Sequence, residues 1–314
     1  MISYGENTIY TFVFHEDEQD LCKMEMRSFF GNDTSSNVLL SNVSIDPSRS
    51  PFMKERLEVL VDGSIEDIKD YVRTIRLDDM TFKVICLNDI RLGETEKIPH
   101  DERRKLEREV GLCIDAEPEL DNPDRLFGLV NLDGTWRFGY YTKSESVWRH
   151  HMQRPRSYST ALSTRVARAV ANIAVPHPEG VKAIDPCCGI GTVLIEARSM
   201  GIDMDGRDIN PLAVVGAREN LAHFKLDGSV KIGPISDVTA EYDAAIIDMP
   251  YNLVTYITPE DQLDMLKAAR RFSKKLVVVS IEVIDEAIQK AGWKIVDRCE
   301  AKKGSFSRQV ILCE

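Results

Sequence analysis

An apolar run, Val181 to Ile184, closes on Asp185-Pro186-Cys187-Cys188-Gly189-Ile190-Gly191-Thr192, and a helical pattern opens at Thr192. Glycines at a strand-to-helix turn let the backbone fold tightly and come close to a ligand. The next strand pattern ends at Asp208, 23 residues after Asp185, with Ile209 beside it. A carboxylate there is suited to two ribose hydroxyls; its competing role is a helix cap. Asp237, after the third strand pattern, is placed either to bond an adenine amine or to close a turn. A dinucleotide cradle calls for a third glycine where this chain has Leu194, so no pyrophosphate has to be accommodated. S-adenosylmethionine, a nucleoside without one, fits these positions. The expected cofactor contacts are Asp185, Pro186, Cys187, Gly189, Gly191, Thr192, Asp208, Ile209 and Asp237.

A fourth strand pattern, Ala244 to Ile247, runs into Asp248-Met249-Pro250-Tyr251. Taken alone the tetrapeptide is either a strand-end turn or an acceptor site. At the carboxyl edge of an open sheet, where ligands bind, the second reading is favoured. An exocyclic base amine is a poor nucleophile because its lone pair is delocalised into the ring. Asp248 and the Met249 carbonyl can accept its two N–H bonds and aim the nitrogen, and positioning of this kind removes much of a barrier. Tyr251 would stack on the base, a contact worth ~1–3 kcal/mol.

These segments need a sheet that brings strand ends together. From Val181 the chain alternates strands and helices as a doubly wound fold does: Val181 to Ile184, Met204 to Ile209, Val230 to Ile235, Ala244 to Ile247 and Leu276 to Ile281. Asn210 and Pro211 read as cap and first residue of a helix. The last strands, Trp293 to Glu300 and Arg308 to Cys313, are joined by a short turn and so run antiparallel. The expected C-terminal domain, 148–314, is Rossmann-like with a mostly parallel sheet and an antiparallel final strand. Residues 1–147 read as a smaller α+β domain. It has helical spacing at Ile65, Ile68, Val72 and Ile75, and a hairpin at Asp133-Gly134.

The 314 residues are 43% apolar and 29% charged, as in ordinary globular proteins. The chain shows no signal-peptide pattern and no membrane-length apolar run, and seven scattered cysteines form no CxxC pair. A cytoplasmic protein with no membrane partner and no metal is expected. His150-His151 lacks companion ligands and reads as loop. The net charge of −11 is unhelpful to a nucleic-acid partner, yet Lys143, Arg149, Arg154, Arg156, Arg165 and Arg168 face only Glu145 in their stretch. That segment is either a phosphate-binding patch or a solvated linker.

The Gly turn, Gly206-Arg207-Asp208-Ile209-Asn210-Pro211 and Asp248-Met249-Pro250-Tyr251 together carry a family resemblance. So do Arg154-Pro155 and Ala167-Arg168-Ala169-Val170-Ala171-Asn172 ahead of them. The C-terminal half resembles the class I amino-methyltransferases with an (Asn/Asp)-Pro-Pro-Tyr motif. It is most similar to the tRNA guanosine-N2 methyltransferases and their THUMP-associated relatives. Leu120 to Asp124 and Trp136 to Gly139 are similar to the end of a THUMP domain. The resemblance implies an S-adenosylmethionine-dependent methylation of guanine N2 in tRNA, with an RNA-holding N-terminal module. Asp248, Met249, Pro250 and Tyr251 would serve the acceptor, and Arg154, Arg156 and Arg165 would meet RNA. The family has proline where this chain has Met249, so the turn is expected to lose rigidity, and a Met249→Pro change to preserve or raise activity provided that the Met249 N–H has no essential partner. The alternatives are a DNA amino-methyltransferase, which wants a target-recognition domain, and a cofactor-binding protein that no longer methylates. A dehydrogenase lacks its pyrophosphate cradle here.

Overall fold

The structure is a computed structural model in which residues 8–34, 36–91, 94–158, 161–250, 257–303 and 306–314 are described. In chain order its elements begin with β1 (Thr8–Phe12), α1 (Gln19–Phe30), β2 (Val38–Ser41), β3 (Met53–Gly63), α2 (Ile65–Val72), β4 (Phe82–Cys86), β5 (Asp89–Arg91), β6 (Glu94–Glu96), α3 (His100–Gly111), β7 (Arg125–Leu132) and β8 (Thr135–Lys143). They continue with α4 (Trp148–His151), α5 (Thr164–Ala174), β9 (Lys182–Asp185), α6 (Thr192–Ser199), β10 (Asp203–Asp208), α7 (Pro211–His223), β11 (Val230–Ile232), β12 (Tyr242–Asp248), α8 (Pro259–Phe272), β13 (Ser273–Ser280), α9 (Asp285–Lys290), β14 (Ile295–Lys303) and β15 (Phe306–Cys313).

These elements make two compact units. One contains residues up to 13, 34–48 and 52–145; the other contains 14–33, 49–51 and 146–314. The sequence suggested a single division at 147/148. The main change of unit falls at 145/146, and residues 14–33, expected in the N-terminal domain, pack in the second unit. Helix α1 is the reason. Its Leu21, Met24, Met26 and Phe29 are buried, and the helix packs on α5 and β14. An amphipathic helix settles where it covers apolar surface, whatever its place in the chain.

In the first unit the strands run β2-β1-β3-β8-β7-β5-β6, with β4 also paired to β7. Most pairs are antiparallel; β4 and β5 run parallel to β7. The β7–β8 hairpin turns at Asp133 and Gly134, whose φ values of 48° and 85° suit a tight two-residue loop. Ile68 and Val72 of α2 and Val110 of α3 join Phe82, Phe127 and Phe138 in one buried cluster. This is the expected α+β arrangement.

In the second unit the sheet order is β11-β10-β9-β12-β13-β15-β14. The first five strands are parallel, and β15 lies antiparallel between β13 and β14. Ala244 to Ile247 and Leu276 to Val279 are all buried, the continuous apolar runs of strands covered on both faces. Strand β11 stops at Ile232, short of the expected Ile235, because Gly233 takes φ 141° and Pro234 follows. The strand order reverses between β9 and β12, which opens a crevice at their carboxyl ends. A buried polar cluster ties α5 to α6 and α4. Arg168, 2% exposed, donates from Nη1 to Glu196 Oε2 at 2.7 Å. His151 Nδ1 lies 2.9 Å from Glu196 Oε1.

Candidate functional site

Three adjacent strands, β10, β9 and β12, each end in an aspartate: Asp208, Asp185 and Asp248. Asp185 is 3% exposed and takes the Cys187 N–H on Oδ1 at 3.2 Å. Burial pushes its carboxyl well above the usual range, and the charges of Asp248 and Asp208 push it further. Burial likewise raises Asp248 to about 7, against a pull downward from Arg308. The Asp248 Oδ1 atom is buried with no hydrogen-bond partner among the described residues. Three acids gathered at neighbouring strand ends favour a ligand that carries positive charge.

The Gly turn is held from beneath by Asp208. Its Oδ2 accepts the Gly189 N–H at 2.8 Å, and its Oδ1 accepts the Asn210 N–H at 2.8 Å. The cap of α7 is Asn210, which accepts the Leu212 N–H at 3.0 Å, with Pro211 as the first helical residue. The capping alternative for Asp208 therefore falls away. Gly189 and Gly191 stand at φ 53° and 80°, a region that suits glycine. A side chain on Gly206 of β10 would collide with Leu194. In this fold Leu194 fills the space that a dinucleotide site keeps clear. Thr192 opens α6 with its Oγ1 buried and unpartnered. Burial raises the Cys187 and Cys188 thiols, which suits packing residues better than reactive ones.

Of the remaining expected cofactor contacts, Ile209 is 70% exposed beside Asp208. Asp237 is exposed in a 3₁₀ turn after β11. Pro186 lies in the turn after β9.

The Asp248-Met249 step differs from what its sequence led us to expect. The Met249 N–H donates to the Val279 carbonyl at 2.8 Å, which extends the β12–β13 ladder, and its side chain is buried at 2% exposure. The turn is thus anchored by the sheet and the core, so the expected loss of rigidity does not follow. A proline would remove that bond, which reverses the expected gain from Met249→Pro. Pro250 is half-buried, and Tyr251 lies outside the described residues.

The arginines of the cationic segment go different ways. Arg165 makes a two-pronged pair with Glu18, both contacts at 2.7 Å, and lies over the Trp148 ring at 4.8 Å. Arg168 is internal, as described. Arg156 is exposed and pairs with Glu219. Arg154 is half-buried with Nε unpartnered. Sequence reasoning missed Tyr158, which it left in the linker. Its hydroxyl lies against the Gly turn, where a Cβ on Gly189 would collide with it; burial raises its pKa, and Asp208, Asp248 and Asp185 add to the rise. An aromatic in an Arg-, Pro- and Ser-rich stretch was the available signal. Among the described residues no cluster of His, Cys, Asp or Glu is arranged to hold a metal ion. No helix among them is long and apolar enough to cross a membrane.

Residues 151–275 match the protein family described as UPF0020, RMKL-like methyltransferase domain. The chain is similar to the tRNA (guanine(10)-N2)-dimethyltransferase of Methanothermobacter thermautotrophicus: 27% identical over 261 residues, covering 76% of this chain and 76% of that protein. It is also similar to the tRNA (guanine(6)-N2)-methyltransferase of Archaeoglobus fulgidus: 22% identical over 345 residues, covering 93% of this chain and 86% of that one. Among solved structures, TrmN from Thermus thermophilus has a like fold. Its TM-score is 0.51 at 16% identity, with 98% of this chain and 99% of that chain covered.

Proposed function

We propose, for a chain whose residues 151–275 match an RMKL-like methyltransferase domain, an S-adenosylmethionine-dependent RNA N-methyltransferase that acts on guanine N2 in tRNA. The carrying observation is the acid trio at three adjacent strand ends, with Asp248 Oδ1 buried and without a partner among the described residues. Such a site suits a cationic cofactor beside an amine donor. The named tRNA methyltransferase relatives support the guanine and the tRNA.

When bound, the cofactor supplies an electrophilic methyl group on a positive sulfur. The residues that would hold it are Asp185, Gly189, Gly191 and Thr192 around the turn, with Asp208, Ile209 and Asp237 along the nucleoside. Asp208 acts in part through Gly189, whose N–H it fixes. Asp248 Oδ1 accepts one N–H of the guanine amine and the Met249 carbonyl the other, so the lone pair is directed along one line. A carboxylate poised near 7 can also hold the proton that the amine sheds. Tyr251 is assigned to stack on the base. The first unit is assigned to hold the tRNA, and the exposed Arg149 and Arg156 to meet its phosphates. Anchoring of Met249 by Val279 speaks against a degenerate acceptor turn.

The test is incubation of the full chain with cofactor and unmodified tRNA, followed by nucleoside mass spectrometry. N2-methylguanosine is expected. Methylated adenosine, or methylation confined to DNA, would replace this reading.

A further inference from the structure

Tyr158 has no role in the mechanism above, yet its hydroxyl sits on the Gly turn. A Cβ at Gly189 would collide with that hydroxyl. So the absence of a side chain at Gly189 makes room for Tyr158 as well as for a ligand. A phenol hydroxyl beside the turn has its own proton to give. Tyr158 is 47% exposed, so its side chain is not sealed into the core.

The charges around it define what it can bind. Burial raises the hydroxyl pKa, and the charges of Asp208, Asp248 and Asp185 raise it further, so it stays protonated. Arg154 lies within electrostatic reach, with its Nε buried and unpartnered. The methionine end of the cofactor is a zwitterion. Its ammonium and sulfonium suit the acids, while its carboxylate needs donors and a cation.

We propose that Tyr158 is a cofactor-positioning residue whose hydroxyl donates to the α-carboxylate of S-adenosylmethionine, with the Arg154 guanidinium beside it. This moves Arg154 from the RNA to the cofactor. The inference rests on the methyltransferase reading for the identity of its ligand. It places the polar stretch before α5 in the cofactor site, where the sequence had left a connector.

The experiment is titration calorimetry on the full chain with two ligands, S-adenosylmethionine and its decarboxylated analogue. Tyr158→Phe keeps the ring and removes only the donor. It should weaken S-adenosylmethionine binding about tenfold, as for a hydrogen bond to a charged group, and leave the analogue within about twofold. Arg154→Gln should show the same selectivity. Equal losses for both ligands, or none for either, would overturn the assignment. So would unchanged cofactor affinity with a raised KM for tRNA, which would put the hydroxyl on the base. A parent protein that binds cofactor with this selectivity but methylates no tRNA would keep the inference and remove the proposed function. A parent that binds no S-adenosylmethionine would remove both.

Discussion

Two groups of buried acids in the second unit have opposite surroundings. Glu196, on α6, is fully enclosed and meets Arg168 on one oxygen and His151 on the other. Asp185, at the end of β9, is buried with the charges of Asp248 and Asp208 acting on it, and Asp248, half-buried at the end of β12, has no partner for Oδ1 among the described residues. A buried charge is tolerable when paired and costly when it is not. The satisfied acid is therefore architecture. The frustrated ones are affordable only where a ligand arrives to satisfy them, which is why the trio marks the site better than any single residue does.

The largest effect should come from breaking the satisfied side. Glu196→Ala leaves Arg168 buried without its counter-charge and should lower the unfolding free energy by about 3–5 kcal/mol in urea titration. A double change, Glu196→Leu with Arg168→Met, should recover most of that loss. If Glu196→Ala is neutral, the pair does not hold the helices together.

On the unsatisfied side, Asp248→Ala should cut methyl transfer by about 100-fold or more, roughly 2.7 kcal/mol. Cofactor affinity should hardly change, and stability near pH 7 should rise, because burial makes this carboxylate costly to ionise in the folded protein. Asp248→Asn keeps an acceptor oxygen and should retain partial activity. Asp248 titrates near 7, so the parent rate should climb as pH rises through that value and the carboxylate ionises. The stability sign is opposite: the folded protein binds this proton more tightly than the unfolded chain, so stability should fall as pH rises from about 4 to 7. Asp248→Asn should flatten the rate profile and lessen the slope of stability, to which the buried Asp185 and Glu25 also contribute. A parent rate independent of pH in that window would contradict the assignment.

Asp208 stands between the two groups, since it binds backbone amides and still faces the crevice. Asp208→Ala should weaken cofactor binding by about 1.5–3 kcal/mol, measured by calorimetry, as the Gly189 N–H loses its anchor. Unchanged affinity would mean that the turn is preorganised without it. The smallest expected effect is that of Met249→Pro. It removes the bond to Val279 and should lower stability by about 1 kcal/mol in thermal unfolding, with no gain in rate. A faster enzyme would restore the view that the methionine weakens this turn.

Much of the site was legible in the sequence because its parts are local. The Asn210-Pro211 helix start, the Gly turn after Asp185 and the acid-ended strands are each set by a few neighbouring residues, and each is found where its pattern put it. The cations were not legible in this way. Arg165 pairs with Glu18, 147 positions away, so a run of arginines that looked like one surface is divided among different partners. Tyr158 was invisible for the same reason: nothing in its neighbours says that it lies on a turn centred some thirty residues later.

By itself the sequence determined the alternation of strands and helices, the glycine turn and the acids at the strand ends, because backbone preference and burial pattern act over short spans. It also required the last two strands to be antiparallel, since their linking turn is too short for a crossover. Only the tertiary structure decided that β15 inserts between β13 and β14, that α1 leaves the first unit for α5 and β14, and that Met249 is anchored through Val279. Those outcomes depend on which distant apolar faces and unpaired backbone groups remain to be covered, a competition that no local stretch of sequence records.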